Sequence, residues 1–396
     1  MMVPLYLPLV TDDPATPGDA PIFFGGINVY LQQHSGLFRR LPRWMDRILD
    51  SPRLLRWVAG RASMTQPAGV GELTLSMLSG ESGRQIKELD RLVGWLGATG
   101  RPDVVCLSNS LLVGMVRRIK SALDVPVICS LQGEDAFLDG LPDPYRARAW
   151  AALTERAADV DRFLAMSRYH GDLMQERLGL SADRLEVVYN GIDPTGYEPA
   201  ERPVQPPVIG YLARLCPLKG LDVLVEAFIR LKRGGRVPDV RLHVAGTTTG
   251  DDKKFVAGLG DRLDRAGMMN DVTFAADIDR DAKQAFLRGL SVLSVPARRG
   301  EAFGMYLLEA WASGVPVVQP RSGPFPELIE ATGGGILCPP DDAQGLAEAL
   351  ETLLLDRDRA EALGRRGREA VGGRFSVERM ARDVARICQA ARGATG

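Results

Sequence analysis

"EAFGMYLLEAWASGVPVVQP", residues 301–320, is a helix and a strand written back to back. Glu301 stands ahead of "AFG" and an apolar helical run. Gly314 suits its C-terminal cap, and Pro316 blocks its continuation. "VPVVQP" then reads as a strand apolar enough to be covered on both faces. The spacing predicts a helix starting near Ala302, with Met305, Leu308 and Ala312 as an apolar stripe and Glu309 at its edge.

The same alternation runs outward from this unit. Toward the N-terminus, "PPVIGYLAR", "VRLHVAG", "VTFAA" and "LSVLSVPA" are strand candidates separated by helical patterns such as "DVLVEAFIRL" and "KKFVAGLGDRLDRAG". Strands alternating with amphipathic helices predict βαβ units on a parallel sheet. The first half repeats the theme more loosely, with "LYLPLV", "PDVVCL", "VPVICSLQ", "RFLAMS" and "LEVVYN" as strands. The expected fold is therefore α/β, with two Rossmann-like doubly wound domains facing a central cleft. The Gly- and Pro-rich stretch 190–208 reads as the linker. It separates an N-terminal domain, 1–200, from a C-terminal domain, 201–375, and a last helix over 376–396 returns to the first.

Bulk properties narrow the function. The chain has 396 residues, 45% hydrophobic and 25% charged, with a formal net charge of −1, so no overall electrostatic reason to bind nucleic acid exists. Five scattered cysteines, Cys106, Cys129, Cys216, Cys338 and Cys388, read as core thiols of a reducing compartment. His34, His170 and His243 form no pair at metal-ligand spacing. The opening "MMVPLYLPLV" lacks a basic start, and its apolar run is cut by prolines, so the expected location is cytoplasmic.

In open parallel sheets ligands bind beyond the carboxyl ends of the strands. Glu301 follows the strand "LSVLSVPA" directly, and Arg214 and Lys219 of "GYLARLCPLKG" follow the first strand of the second half. A held carboxylate accepts hydrogen bonds from paired hydroxyls, while guanidinium, ammonium and helix-terminal amides attract phosphate. This combination fits a sugar phosphate. Taken alone, Glu301 equally fits an acid complementing a helix dipole, and Glu309 a solvated side chain. In the first half, Gly25 and Gly26 of "FFGGINVYLQQ" leave room for backbone amides to approach a phosphate at a helix start. The pattern is not G-x-G-x-x-G, so no dinucleotide fingerprint is present.

Taken in order, "GGIN", "SLQGED", "YNGID", "GYLARLCPLKG", "EAFGMYLLEAWASGVPVV" and the "PELI" of "GPFPELIE" resemble the retaining glycosyltransferases of family 4, which have the GT-B architecture. The resemblance covers nearly the whole chain and is most specific over about 205–345. It implies a nucleotide-sugar donor on the second domain, an acceptor bound largely by the first, and no metal or other cofactor. It further implies Glu301 near the donor sugar, Ala302, Phe303, Gly304 and Met305 at the helix start against its hydroxyls and phosphate, and Glu309 on the ribose. Arg214 and Lys219 would bind the diphosphate, Gly25 and Gly26 would add amides, and Asp277 and Ile278 would border the base. Gln132 stands where many relatives have His. It can position a hydroxyl but cannot hold a proton, so a titrating base there is in doubt. A nucleotide-sugar epimerase or hydrolase of the same fold, and a non-catalytic nucleotide-sugar binder, are the competing readings.

Other features carry less. The pairs Asp12–Asp13, Asp251–Asp252 and Asp341–Asp342 read as solvated caps and turns. Residues 37–61 interleave seven arginines with Trp44 and Trp57, as a membrane-surface helix does. Pro42 and Pro52 cut that segment into short pieces, so acceptor-domain structure is the preferred expectation, with peripheral membrane contact as its alternative. The acceptor, the donor sugar and the base have no readable code.

Overall fold

The structure, a computed structural model, describes residues 1–3, 5, 23–24 and 67–393. Asp12–Asp13, Gly25, Gly26, His34 and segment 37–61 lie outside the described residues. The chain divides into two compact units. One comprises Met1–Leu164, Leu173–Glu186 and Ile387–Gly396, the other Ala165–Asp172 and Val187–Arg386. The Gly- and Pro-rich segment 190–208 belongs to the second unit.

The first part of the chain supplies α1 (Pro67–Leu78), α2 (Ile86–Thr99), β1 (Val105–Leu107), α3 (Val116–Leu123), β2 (Val127–Leu131), α4 (Glu134–Asp139), α5 (Tyr145–Ala157), β3 (Arg162–Ala165), α6 (Arg168–Leu178) and β4 (Leu185–Val187). The strands lie in the order β1-β2-β3-β4, with Val105 opposite Val127 in a parallel pair. Helix α2 shows why the pattern folds this way: Leu89, Leu92, Val93 and Leu96 recur at helical spacing and are all buried. Glu88 on the same face is fully buried, and its carboxylate accepts from the Phe24 amide and from Arg91. A carboxylate removed from water requires such partners.

The second part contains β5 (Val208–Leu212), α7 (Leu221–Gly234), β6 (Arg241–Gly246), α8 (Lys253–Arg265), β7 (Val272–Ala276), α9 (Arg280–Arg288), β8 (Val292–Leu293), α10 (Met305–Ala312), β9 (Val317–Pro320), α11 (Phe325–Thr332), β10 (Gly335–Cys338), α12 (Ala343–Leu355), α13 (Arg357–Gly373) and α14 (Val377–Gly393). Its six-stranded sheet has the order β10-β9-β8-β5-β6-β7, parallel throughout. The order reverses direction after β5, the topological switch that places ligands beyond the strands' carboxyl ends. Strand β5, at the centre, is buried at every residue, as a strand covered on both faces must be.

The helix predicted from Ala302 begins instead at Met305. Gly304 has φ 93°, a left-handed conformation that halts any helix entering from Ala302. The stripe is also differently composed: Met305 is exposed, whereas Tyr306, Leu307, Leu308, Ala310, Trp311 and Ala312 are buried. Trp311 lies against Gly334 and Gly367, whose missing side chains make room for the indole, and its Nε1 donates to the Gly334 carbonyl at 2.8 Å. Burying one such side chain contributes about 2 to 3 kcal/mol.

The cysteines correct the sequence reading in part. All five are free thiols, and Cys129, Cys216 and Cys338 are buried, but Cys106 is exposed and Cys388 is half-buried. No helix among the described residues is long and apolar enough to cross a membrane.

Candidate functional site

Four connections leave the carboxyl ends of β5, β6, β7 and β8 on one edge of the second sheet, and they carry the predicted charges. After β5 the chain passes Arg214 and a single 3-10 turn, Pro217–Lys219, then enters α7 through Gly220 in the left-handed conformation. A Cβ at Gly220 would sit 2.0 Å from the Pro296 carbonyl oxygen, so only glycine allows the loops after β5 and β8 to approach this closely. Arg298 fastens the two loops, donating to both carboxylate oxygens of Asp222 at 2.8 and 2.9 Å and to the Pro217 carbonyl at 2.9 Å.

That closeness brings Lys219 to Glu301. The Lys219 Nζ donates to Glu301 Oε2 at 2.7 Å, and the Tyr306 hydroxyl donates to the same oxygen at 3.0 Å. Tyr306 is buried, and loss of solvation followed by the Glu301 charge raises its pKa well above the phenol range, so it stays a donor. Beside it, Ala302, Phe303 and Gly304 are buried, and the Ala302 carbonyl accepts from Ser167 Oγ at 2.7 Å.

Arg214 is held by the loop after β6. Its Nε donates to Asp252 Oδ2 at 2.9 Å and its guanidinium to Thr249 Oγ1 at 3.1 Å, while the Thr249 amide and hydroxyl both donate to Asp252. The Asp252 carboxyl is accordingly lowered to about 2, chiefly through the Arg214 hydrogen bond. Asp252 is only 5% exposed, which overturns its reading as a solvated cap. Asp342 does cap a helix, accepting from the Gln344 amide at 2.9 Å, and Asp341 pairs with Arg298 at 2.7 Å.

Glu309, four residues into α10 and half-buried, accepts from Lys283 Nζ at 2.5 Å and from the Tyr197 hydroxyl at 3.3 Å. Burial alone would lower the Lys283 pKa, but the Glu309 hydrogen bond and charge outweigh it and raise it. Lys283 sits on α9, which follows Asp277 and Ile278 at the end of β7. Asp277 turns through φ 51° with its amide on the Gly246 carbonyl, and Ile278 packs on the core.

The structure thus gathers Arg214, Lys219, Asp277, Ile278, Glu301, Ala302, Phe303, Gly304, Met305 and Glu309 on one edge of one unit. Gln132 belongs to the first unit. There it is exposed at the end of β2, and its amide donates to Glu134 Oε2 at 2.7 Å. Glu134 Oε1 accepts from the Ser110 amide at 2.7 Å, so one buried carboxylate joins the loops after β1 and β2. A cavity of about 350 Å³ in the second unit lies elsewhere, beside Pro207, Ser291 and Pro316, which precede strands. It contains none of the predicted site residues.

Residues 198–370 match the family described as "Glycosyl transferases group 1", and residues 70–195 match "Glycosyltransferase Family 4". The chain belongs to the family 4 glycosyltransferases. It is 28% identical over 373 residues to a GDP-mannose-dependent alpha-(1-6)-phosphatidylinositol monomannoside mannosyltransferase of Mycolicibacterium smegmatis, covering 88% of this chain and 91% of that one. It is 29% identical over 218 residues to a D-inositol 3-phosphate glycosyltransferase of Nocardia farcinica, a match to 53% of this chain and about half, 48%, of the relative. In fold it is similar to Anabaena HepE in complex with UDP, with a TM-score of 0.65 at 20% identity over 77% of this chain and 82% of that one. It is as similar to a sucrose-phosphate synthase from Thermosynechococcus elongatus, with a TM-score of 0.65 at 20% identity, over 78% and 79% of the two chains. The fold is the GT-B type expected, and the protein is a transferase.

Several residues of this glycosyltransferase escape a reading of its motifs. Asp252, Thr249, Lys283, Tyr197 and Tyr306 lie 5 to 112 positions from the residue each one orients. A lysine at the start of a helix is unremarkable in sequence, and only the packing of α9 beside α10 gives Lys283 a partner.

Proposed function

We propose that the enzyme transfers a sugar from a nucleoside-diphosphate sugar to a hydroxyl acceptor with retention at the anomeric carbon and without a metal. The observation that carries this reading is the edge built by Arg214, Lys219, Glu301 and Glu309, where two cations and two carboxylates converge beyond the carboxyl ends of a parallel sheet. The donor class is supported by relatives named for GDP-mannose and by a neighbour solved with UDP.

As the glycosidic C–O bond breaks, negative charge collects on the diphosphate and positive charge on the anomeric carbon. Asp252 and Glu301 keep Arg214 and Lys219 in place beforehand, so these cations stabilise the leaving diphosphate with little reorganisation. Glu301 stands beside the departing sugar, and its charge opposes the one growing on carbon. The amides leading into α10, over Ala302, Phe303, Gly304 and Met305, face phosphate and sugar oxygens. Glu309 accepts the ribose hydroxyls, with Lys283 and Tyr197 fixing its orientation. Asp277 and Ile278 border the base. Gln132, in the first unit, orients the acceptor. The acceptor hydroxyl attacks on the face the diphosphate leaves, and its proton passes to a phosphate oxygen.

The test is turnover of a panel of nucleotide sugars with and without polyol and glycan acceptors. Acceptor-dependent product with the donor's anomeric configuration is the expected result. Inverted product overturns retention. Release of nucleoside diphosphate with no acceptor product favours the hydrolase or epimerase reading.

A further inference from the structure

Helix α14 ends on the first unit. Ile387 and Ala391, one turn apart, are buried there, and Arg392 pairs with Asp103 at 3.4 Å, just before β1. On the same turns Cys388 Sγ meets Cys106 Sγ of β1 at 3.6 Å, across 282 residues of sequence. Each of the other three thiols is buried, whereas this pair is open to water at Cys106.

We propose that Cys106 and Cys388 are a reversible oxidation site, closing to a disulfide that fastens the end of α14 to β1. The sulfurs already touch, and reaching the bond length of about 2.05 Å asks each side chain for a displacement of under about 1 Å. The oxidant is a peroxide. One thiolate attacks a peroxide oxygen, the O–O bond breaks, and a sulfenic acid and a water form. The second thiol then attacks that sulfur and expels another water, so two thiols and one peroxide give one disulfide and two waters. The bond would close a ring containing the whole sequence of the second unit.

The resting Cys106 thiol is slow to react. Loss of solvation, then the charge and hydrogen bond of Cys388, pushes the Cys106 thiol up to about 12. Only a small thiolate fraction exists at neutral pH, and it grows about tenfold per pH unit over pH 7 to 9. Oxidation follows that slope.

The experiment treats the full chain with hydrogen peroxide at pH 8, alkylates the remaining thiols and maps peptides without reduction. The expected result is a single cross-linked pair carrying Cys106 and Cys388, lighter by two hydrogens and reopened by dithiothreitol. Cys129, Cys216 and Cys338 stay alkylatable after unfolding. The melting temperature should rise by a few degrees on oxidation and return on reduction, and amide exchange over 387–393 should slow. Cys106→Ser and Cys388→Ser should each remove the cross-link and the shift. Over-oxidation of Cys106 with Cys388 still free, or disulfide-linked dimers in place of the internal bond, would overturn the proposal. The wild-type map reads this outcome even where a variant folds poorly.

Discussion

The Nζ of Lys219 lies 2.7 Å from Oε2 of Glu301, although 82 residues separate them. Side chains that are 22% and 13% exposed make this a partly buried pair, screened by salt less than a surface contact. It joins the cation and the acid of the proposed donor site across the loops after β5 and β8.

Lys219→Ala is therefore expected to weaken nucleoside-diphosphate binding by about 10- to 100-fold, equivalent to about 1.4 to 2.8 kcal/mol. Stability should fall by about 1 to 2 kcal/mol, because among the described residues Glu301 then keeps only Tyr306 as a side-chain donor. Calorimetric titration with nucleoside diphosphates checks the first and urea unfolding the second. Unchanged affinity would remove Lys219 from the donor site.

Glu309→Ala should erase discrimination on the ribose. The variant is expected to bind ribo- and 2′-deoxyribonucleoside diphosphates within about twofold of each other, whereas the wild type prefers the ribo form by about tenfold or more. Competition titrations with the matched pair give the ratio directly. A ratio preserved in the variant assigns the ribose to another group.

Asp252 predicts a pH dependence. Its folded pKa, about 2, is depressed below the ordinary 3.8, so its stabilising effect is complete above about pH 4 and is lost as pH falls toward 2. Arg214 is half exposed, and screening limits the effect to about 1 kcal/mol. Asp252→Asn should be less stable than wild type by that amount at pH 6, with the gap closing by pH 2 to 3. Denaturant midpoints measured across that range test it, and a gap constant with pH would contradict the assignment.

Glu327 of α11 holds the start of α6 and Tyr189 within the second unit. Its carboxylate accepts from the amides of Arg168 and Tyr169, the first residues of α6, at 2.9 and 3.1 Å, and from the Tyr189 hydroxyl at 2.6 Å. It does from a distance what an N-cap side chain does locally. Glu327→Ala should cost about 2 to 3 kcal/mol, and Glu327→Gln less, since one amide oxygen still accepts. Thermal unfolding of the pair gives the comparison.

The alternation of β-branched runs with helical patterns was enough to read the second sheet, because strands buried on both faces need near-continuous apolar sequence. Gly314 and Pro316 were legible for a similar reason: few residues serve a left-handed or helix-ending position. The start of α10 was misread because Ala302 and Phe303 are compatible with a helix, and only the left-handed conformation of Gly304 reveals the break. Asp252 was misread because a solvated cap and a buried partner of arginine are the same residue type in the same local pattern.

By itself the sequence determined the α/β class, the order of the strands along the chain and the charged residue types that follow the strands of the second sheet, all of which depend on local periodicity and turn chemistry. The tertiary structure alone decided which side chains are paired. Lys219 with Glu301, Arg214 with Asp252, Lys283 with Glu309 and Cys106 with Cys388 are 82, 38, 26 and 282 residues apart. Such pairs follow from strand order and helix packing, which bring distant positions together and leave no spacing to read.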